Sequence, residues 1–215
     1  MVDSSPIAPY AVHFSRPTNA VAADLESYAK LLLKWQAVQN LVSRETLRDV
    51  WTRHFADSLQ VLAHIQASDI RFMDFGSGGG FPALAMAIAS KGSDRHFTLV
   101  EPTARKVSFL RTVARELELN VDVIGRRSDE IDSRETGHVD VITSRALAAM
   151  PQLCTWISPF FTQHTRALLH KGREHVEELT ESGAHWHHDV LIHPSDTDPG
   201  GVIVELTNLR RKTVS

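Results

Sequence analysis

The stretch Asp74-Phe75-Gly76-Ser77-Gly78-Gly79-Gly80-Phe81-Pro82 decides the fold. Upstream of it, 70–75 reads as a short buried strand. Downstream, 81–89 reads as a helix, with Pro82 suited to a first turn where its missing N–H costs nothing. Glycines at such a junction let the backbone turn sharply and approach a ligand closely, and the helix start offers free N–H groups. A dinucleotide fingerprint wants glycine at the first, third and sixth positions. Gly76 and Gly78 satisfy two of these, but Phe81 stands at the sixth, where bulk opposes close helix–strand packing. No lysine follows the glycines, as a phosphate loop requires.

Working outward, strand and helix alternate. Strands are predicted over 96–101, 121–124, 139–143 and 165–171, then near 186–192 and 202–209 around the loop 194–201; helices are predicted over 103–118 and 150–161. This pattern predicts an α/β fold, a Rossmann-like, mostly parallel seven-stranded sheet with helices on both faces. Before it, Leu25, Tyr28, Ala29, Leu32 and Trp35 recur at helical spacing within 21–38, and a second helical stretch covers about 45–65. Residues 1–19 hold three prolines and no periodicity. The predicted organisation is a flexible arm (1–19), an N-terminal helical extension (20–66) and the Rossmann-like domain (67–215).

The acid ending the second strand, Glu101, is placed to accept hydrogen bonds from both hydroxyls of a ribose. Together with Asp74-x-Gly76-x-Gly78-x-Gly80, it matches the loop that methyltransferases wrap around the methionine part of S-adenosylmethionine. Arg145 follows the fourth strand and Lys171 ends the fifth, both at the carboxyl edge where ligands sit in open α/β sheets.

The 215 residues are 42% hydrophobic and 23% charged, the mix of a globular chain. A net charge of −3 argues against a broad phosphate-gripping surface but leaves room for a local basic face. With one cysteine, Cys154, no intrachain disulfide forms, which fits a reducing cytoplasm; Cys154 lies on an apolar helix and reads as buried rather than nucleophilic. No apolar run is long enough for a membrane span, and no secretory signal stands at the start. Twelve histidines, among them His185, His187, His188 and His193, match no zinc spacing, so no metal is expected. A monomer is expected.

Further strings extend the pattern: Trp35 with Asn40-Leu41-Val42-Ser43, Arg53-His54-Phe55-Ala56-Asp57-Ser58-Leu59, Arg105-Lys106, Phe109-Leu110-Arg111, Arg127-Ser128-Asp129, Thr143-Ser144-Arg145-Ala146 and Lys171-Gly172. In this order, over about 25–172, the chain resembles the bacterial ribosomal RNA small-subunit methyltransferase G family, also called the glucose-inhibited division protein B family. It departs mildly at Ala83, where the family usually has glycine, and at Asp129, where glutamate is common. The resemblance implies methyl transfer from S-adenosylmethionine to guanine N7 in the 530 loop of 16S ribosomal RNA, as naked RNA or within the small ribosomal subunit. It places cofactor contacts on Gly76, Phe81, Ser128, Asp129 and Arg145. Guanine N7 carries no proton, so the chemistry asks for alignment rather than a general base. Arg145 is the candidate catalytic residue, gripping the cofactor carboxylate or guanine O6. Candidate RNA contacts are Arg53, His54, Arg105, Lys106, Arg126, Arg127 and Lys171. A small-molecule or protein methyltransferase is the competing enzymatic reading. A non-catalytic ribosome-binding module would be favoured by a damaged glycine loop or a missing Glu101, and neither is seen.

Overall fold

The strand that enters the glycine loop, β1 (Arg71–Phe75), is buried at four of its five positions. Such a strand is covered on both faces and reads as an apolar run rather than an alternation. The computed structural model describes residues 5–37, 39–43 and 45–213. β1 is central in a seven-stranded sheet of order β3-β2-β1-β4-β5-β7-β6, with β2 (His96–Val100), β3 (Val121–Ile124), β4 (Val141–Arg145), β5 (Arg166–Lys171), β6 (Trp186–Pro194) and β7 (Val202–Arg211). The first five strands pair in parallel, and β7 runs antiparallel to both β5 and β6. The order reverses between β1, which pairs β2 on one side and β4 on the other. That reversal opens a crevice at the carboxyl ends of the strands, the usual ligand position in open α/β sheets.

Alternate residues along each strand feed two cores. Phe72, Phe97, Leu99, Val141 and Leu168 pack on one face, with α3 (Ala83–Ser90) and α4 (Ala104–Glu116). Met73, Phe75, Val100, Ile142 and Leu169 pack on the other, with α6 (Met150–Ile157). Every residue of α3 is buried, because the N-terminal helices cover the side of it that the sheet does not. Pro82 immediately precedes α3 rather than lying in its first turn.

The N-terminal segments belong to that first core. α1 (Thr18–Gln36) buries Val21, Leu25, Tyr28, Ala29 and Leu32, the stripe read from the sequence. The second stretch is helical but not one regular helix: 3-10 over Thr46–Asp49, π over Trp51–Ala56, a single α turn α2 (Asp57–Leu59), and 3-10 again over Gln60–His64. The expectation of a loose arm fails for its described part. Ser5–His13 is a 3-10 helix that buries Ile7 and Tyr10 in the same core, and two apolar anchors hold it where periodicity gave no sign. Two α-helices have no counterpart in the sequence pattern: the short α5 (Ser133–Thr136), and α7 (His175–His185), between β5 and β6. No helix is long and apolar enough to cross a membrane among the described residues.

Candidate active site

A cavity of about 530 Å³ opens at the carboxyl edge of the sheet. Its lining comes from five places: the glycine loop, the N-terminal segment with Arg53, His54 and Asp57, Lys106 of α4, the ends of β4 and β5, and the loop between β6 and β7. The glycine loop is stapled from below. Ser77 Oγ donates to the Asp74 carbonyl at 3.1 Å, Ser144 Oγ donates to the Phe75 carbonyl at 2.9 Å, and Tyr28 donates its hydroxyl proton to the Gly79 carbonyl. Gly76 and Gly78 hold φ of 70° and 52°, the left-handed region that L side chains rarely adopt.

Arg145 ends β4 and is the hub of the cavity wall. Its Nη1 donates to Asp57 Oδ2 at 2.9 Å and to the Arg53 carbonyl at 3.2 Å, its Nη2 donates to His54 Nδ1 at 2.8 Å, and its guanidinium lies 4.9 Å from the centroid of the Phe81 ring. Because an arginine only donates, His54 Nδ1 accepts and the ring proton sits on Nε2, which donates to Thr46 Oγ1 at 2.9 Å. Burial, then the Arg145 charge, push His54 down to about 4. His54 is therefore a neutral ring stacked on Phe81, 4.7 Å between centroids, and not a cationic phosphate contact.

Asp57 gathers the other elements. Its Oδ1 accepts from Thr197 Oγ1 at 2.7 Å and Gln60 Nε2 at 2.9 Å, and its carbonyl accepts from His170 Nε2 at 2.9 Å. Burial would raise this carboxyl, but the neighbouring His170, Arg145 and the Thr197 hydroxyl outweigh it and hold the group below the ordinary carboxylate range. The Arg145 guanidinium supplies the standing charge, since burial keeps His170 itself depressed and neutral.

The residues beside the glycine loop fit a nucleoside-bearing methyl donor. Glu101 is 4% exposed, with Oε2 accepting from Gly78 N–H at 3.0 Å and Oε1 from Thr103 N–H at 2.9 Å. Each oxygen keeps a lone pair for a ribose hydroxyl. Asp74 Oδ1 accepts from Thr143 Oγ1 at 2.7 Å, while its buried Oδ2 has no partner among the described residues. Burial pushes this carboxyl up to about 7. An orphaned acceptor beneath a glycine loop suits the ammonium end of a methionine moiety.

Of the sequence-predicted cofactor residues, Gly76, Gly78, Phe81 and Arg145 line the cavity, and Asp74 and Glu101 lie buried against its loop. Ser128 and Asp129 do not line it; they open a 3-10 turn after β3, and Asp129 is paired with Arg127 at 3.0 Å. Of the predicted RNA contacts, Arg53, His54, Lys106 and Lys171 line the cavity, with Arg105 exposed beside Lys106. Arg126 is paired with Glu135 at 2.5 Å. Lys171 is neither solvated nor free for phosphate: its Nζ donates to Glu178 Oε2 at 2.5 Å and the Ala148 carbonyl at 2.7 Å, and α7 supplies that acid. Cys154 is buried, and burial pushes its thiol up to about 11.

Sequence reasoning missed Asp57, His170, Thr197 and Asp198, all in the cavity wall. Asp57 lay inside a quoted string, and His170 stands one residue before Lys171 at a strand's carboxyl end, a position that the rule for open α/β sheets already flags. Thr197 and Asp198 carried only a turn composition.

Comparison with known proteins agrees with this geometry. A family model described as rRNA small subunit methyltransferase G matches residues 21–195. A ribosomal RNA small subunit methyltransferase G of Bartonella tribocorum is 40% identical over 188 residues, covering 87% of each chain. One of Gluconobacter oxydans is 41% identical over 187 residues, covering 87% of this chain and 93% of its own. Among solved structures, an MtNAS variant in complex with S-adenosylmethionine superposes with a TM-score of 0.57 at 17% identity, covering 87% of this chain and 76% of that one, a likeness of fold. With the family model spanning the N-terminal helices, the glycine loop and Arg145 together, the chain belongs to the rRNA small subunit methyltransferase G family.

Proposed function

We propose that the protein transfers the methyl group of S-adenosylmethionine to N7 of a guanine in 16S ribosomal RNA, in the 530 loop, acting as a monomer in the cytoplasm. Family membership supports the enzyme class, the cofactor and the ribosomal RNA substrate. The observation that carries the chemistry is the weak basicity of the cavity's two histidines: Arg145 occupies the accepting nitrogen of His54, whose pKa is pushed down to about 4, and burial lowers His170 as well, so the wall suits alignment better than proton removal. When bound, the cofactor supplies a sulfonium methyl that needs no further activation. Glu101 and the Gly76–Gly78 backbone would hold its ribose and methionine parts, with Asp74 beneath the ammonium end. Arg145, pinned by Asp57 and His54 over Phe81, stiffens the wall beside the transfer line. Transfer onto N7 moves positive charge from sulfur to the base and releases no proton, so positioning supplies most of the barrier reduction.

The test is incubation with methyl-labelled cofactor and either naked 16S ribosomal RNA or small subunits, followed by mapping of the labelled base. Label on guanine N7 is expected. Label on another atom, or none on either substrate, overturns the reading.

A further inference from the structure

The loop 195–201, between β6 and β7, reads in the sequence only as a turn, yet it is fastened into the cavity wall. Gln60 Nε2 donates to Ser195 Oγ at 3.2 Å, Asp196 N–H donates to Gln60 Oε1 at 2.9 Å, and Thr197 Oγ1 donates to Asp57 Oδ1 at 2.7 Å. Within the loop, Asp198 is fixed at three atoms. Its N–H donates to Ser195 Oγ at 3.3 Å, its carbonyl accepts from Gly201 N–H at 2.9 Å, and its Oδ1 accepts from Gly200 N–H at 3.0 Å. Its Oδ2 accepts no hydrogen bond among the described residues. It stands 3.8 Å from Arg53 Nη2, an ion-pair distance beyond hydrogen-bond range. Both side chains are 44% exposed, and both line the cavity. The site thus presents a fixed carboxylate with a guanidinium beside it, each with hydrogen-bonding capacity to spare.

We propose that Asp198 and Arg53 read the Watson–Crick edge of the target guanine, Asp198 accepting from N1–H and the N2 amine and Arg53 donating to O6. The proposal rests on the guanine-N7 reading above. Guanine sets the acceptor O6 next to two donors, so a cation beside a carboxylate is its complement. Adenine sets an amine donor next to the N1 lone pair, which meets cation with donor and carboxylate with lone pair. Enzymes that modify a base commonly read it by this edge. The choice also serves the chemistry. An arginine fork on O6 and N7 would occupy the attacking atom, whereas a grip on N1, N2 and O6 leaves the N7 lone pair free. Arg145 is not available for this task, because both of its terminal nitrogens are tied to Asp57, His54 and the Arg53 carbonyl. Asp198 is a specificity residue by this account, and Arg53 acts on the base rather than on phosphate.

The experiment uses the full chain, S-adenosylmethionine and ligated 16S ribosomal RNA carrying a single guanosine or inosine at the mapped position. Inosine keeps O6, N1–H and N7 and lacks only the N2 amine. Wild-type protein is expected to lose about tenfold in kcat/KM on inosine, the scale of a well-placed base-edge contact. Asp198→Asn is expected to lose about tenfold or more on guanosine and to treat the two substrates nearly alike. Melting temperature and S-adenosylhomocysteine affinity report folding, and Asp198→Ser serves as a second variant if Asn perturbs the loop. Variants that are folded and bind cofactor but keep the full guanosine-over-inosine preference overturn the proposal. A wild-type protein that places no methyl on guanine N7 removes the functional reading itself, and this is seen before any variant is made.

Discussion

Gly76 shows why a single position in the glycine loop tolerates no side chain. A Cβ there would lie 2.4 Å from Leu147 Cδ1, on a backbone at φ 70°. Gly76→Val is expected to destabilise the fold by about 1–3 kcal/mol and to abolish S-adenosylhomocysteine binding, as read by thermal melting and calorimetric titration. Unchanged affinity would remove the loop from the cofactor site. His54 predicts a pH dependence. Its folded pKa of about 4 lies below the ordinary 6.5, so the unfolded chain binds the proton first, and the stability it confers is full above 6.5 and lost as pH falls toward 4. The loss amounts to about 2 kcal/mol by pH 5. Urea unfolding at pH 7.5 and 5 should show a smaller drop for His54→Asn than for the wild type; parallel drops refute the assignment. Gly76 and Glu101 were legible because local spacing and a strand end define them. The state of His54 was not, since a partner 91 residues away, Arg145, sets its tautomer and helps set its charge.

Among the elements, α7 decides the fate of Lys171. It carries Glu178, which accepts from Lys171 Nζ and from Met150 N–H at 2.7 Å, so one carboxylate joins β5, α7 and the start of α6. Lys171→Met leaves that partly buried carboxylate without its cation, and is expected to cost about 2–4 kcal/mol of stability in urea titration. RNA affinity of the folded variant should keep its salt dependence; a flattened slope would restore a phosphate contact. The alternating strands and helices of the parallel part were readable because β1, β2, β4 and β5 carry short apolar runs bounded by turns, and α1 because its stripe repeats at helical spacing. α7 escaped notice because its one fully buried residue is Ser182, Val176 is exposed, and Leu179, packed on the second core, makes no repeating stripe by itself. The 5–13 segment escaped for the opposite reason: two buried side chains, Ile7 and Tyr10, suffice to dock a proline-bearing helix without a repeat.

Over the whole molecule, a net charge of −3 meets an RNA substrate, so the placement of the uncompensated cations matters more than their number. Arg126 and Arg127 are cancelled locally by Glu135 and Asp129. Lys106 at the cavity and Arg105 beside it have no ion pair among the described residues. Reversing Arg105 and Lys106 to glutamate should flatten the plot of RNA affinity against salt by about one unit per lost phosphate contact. Reversing Arg126 and Arg127 should change it less, and filter binding across a salt series would refute this ranking if the two pairs behaved alike. The docked 5–13 helix carries a separate consequence, for the order in which the molecule is finished. Tyr10 donates its hydroxyl proton to Asp196 Oδ2 at 3.3 Å, joining residues 186 positions apart. During synthesis, β6 emerges with no neighbour to pair with, because β7 must slot between it and β5. The early segment therefore waits, its tyrosine hydroxyl unclaimed, until residue 196 has left the ribosome. Contacts this distant along the chain form late and slowly, so the cavity wall closes only after the loop that follows β6 has emerged and docked on Asp57 and Tyr10.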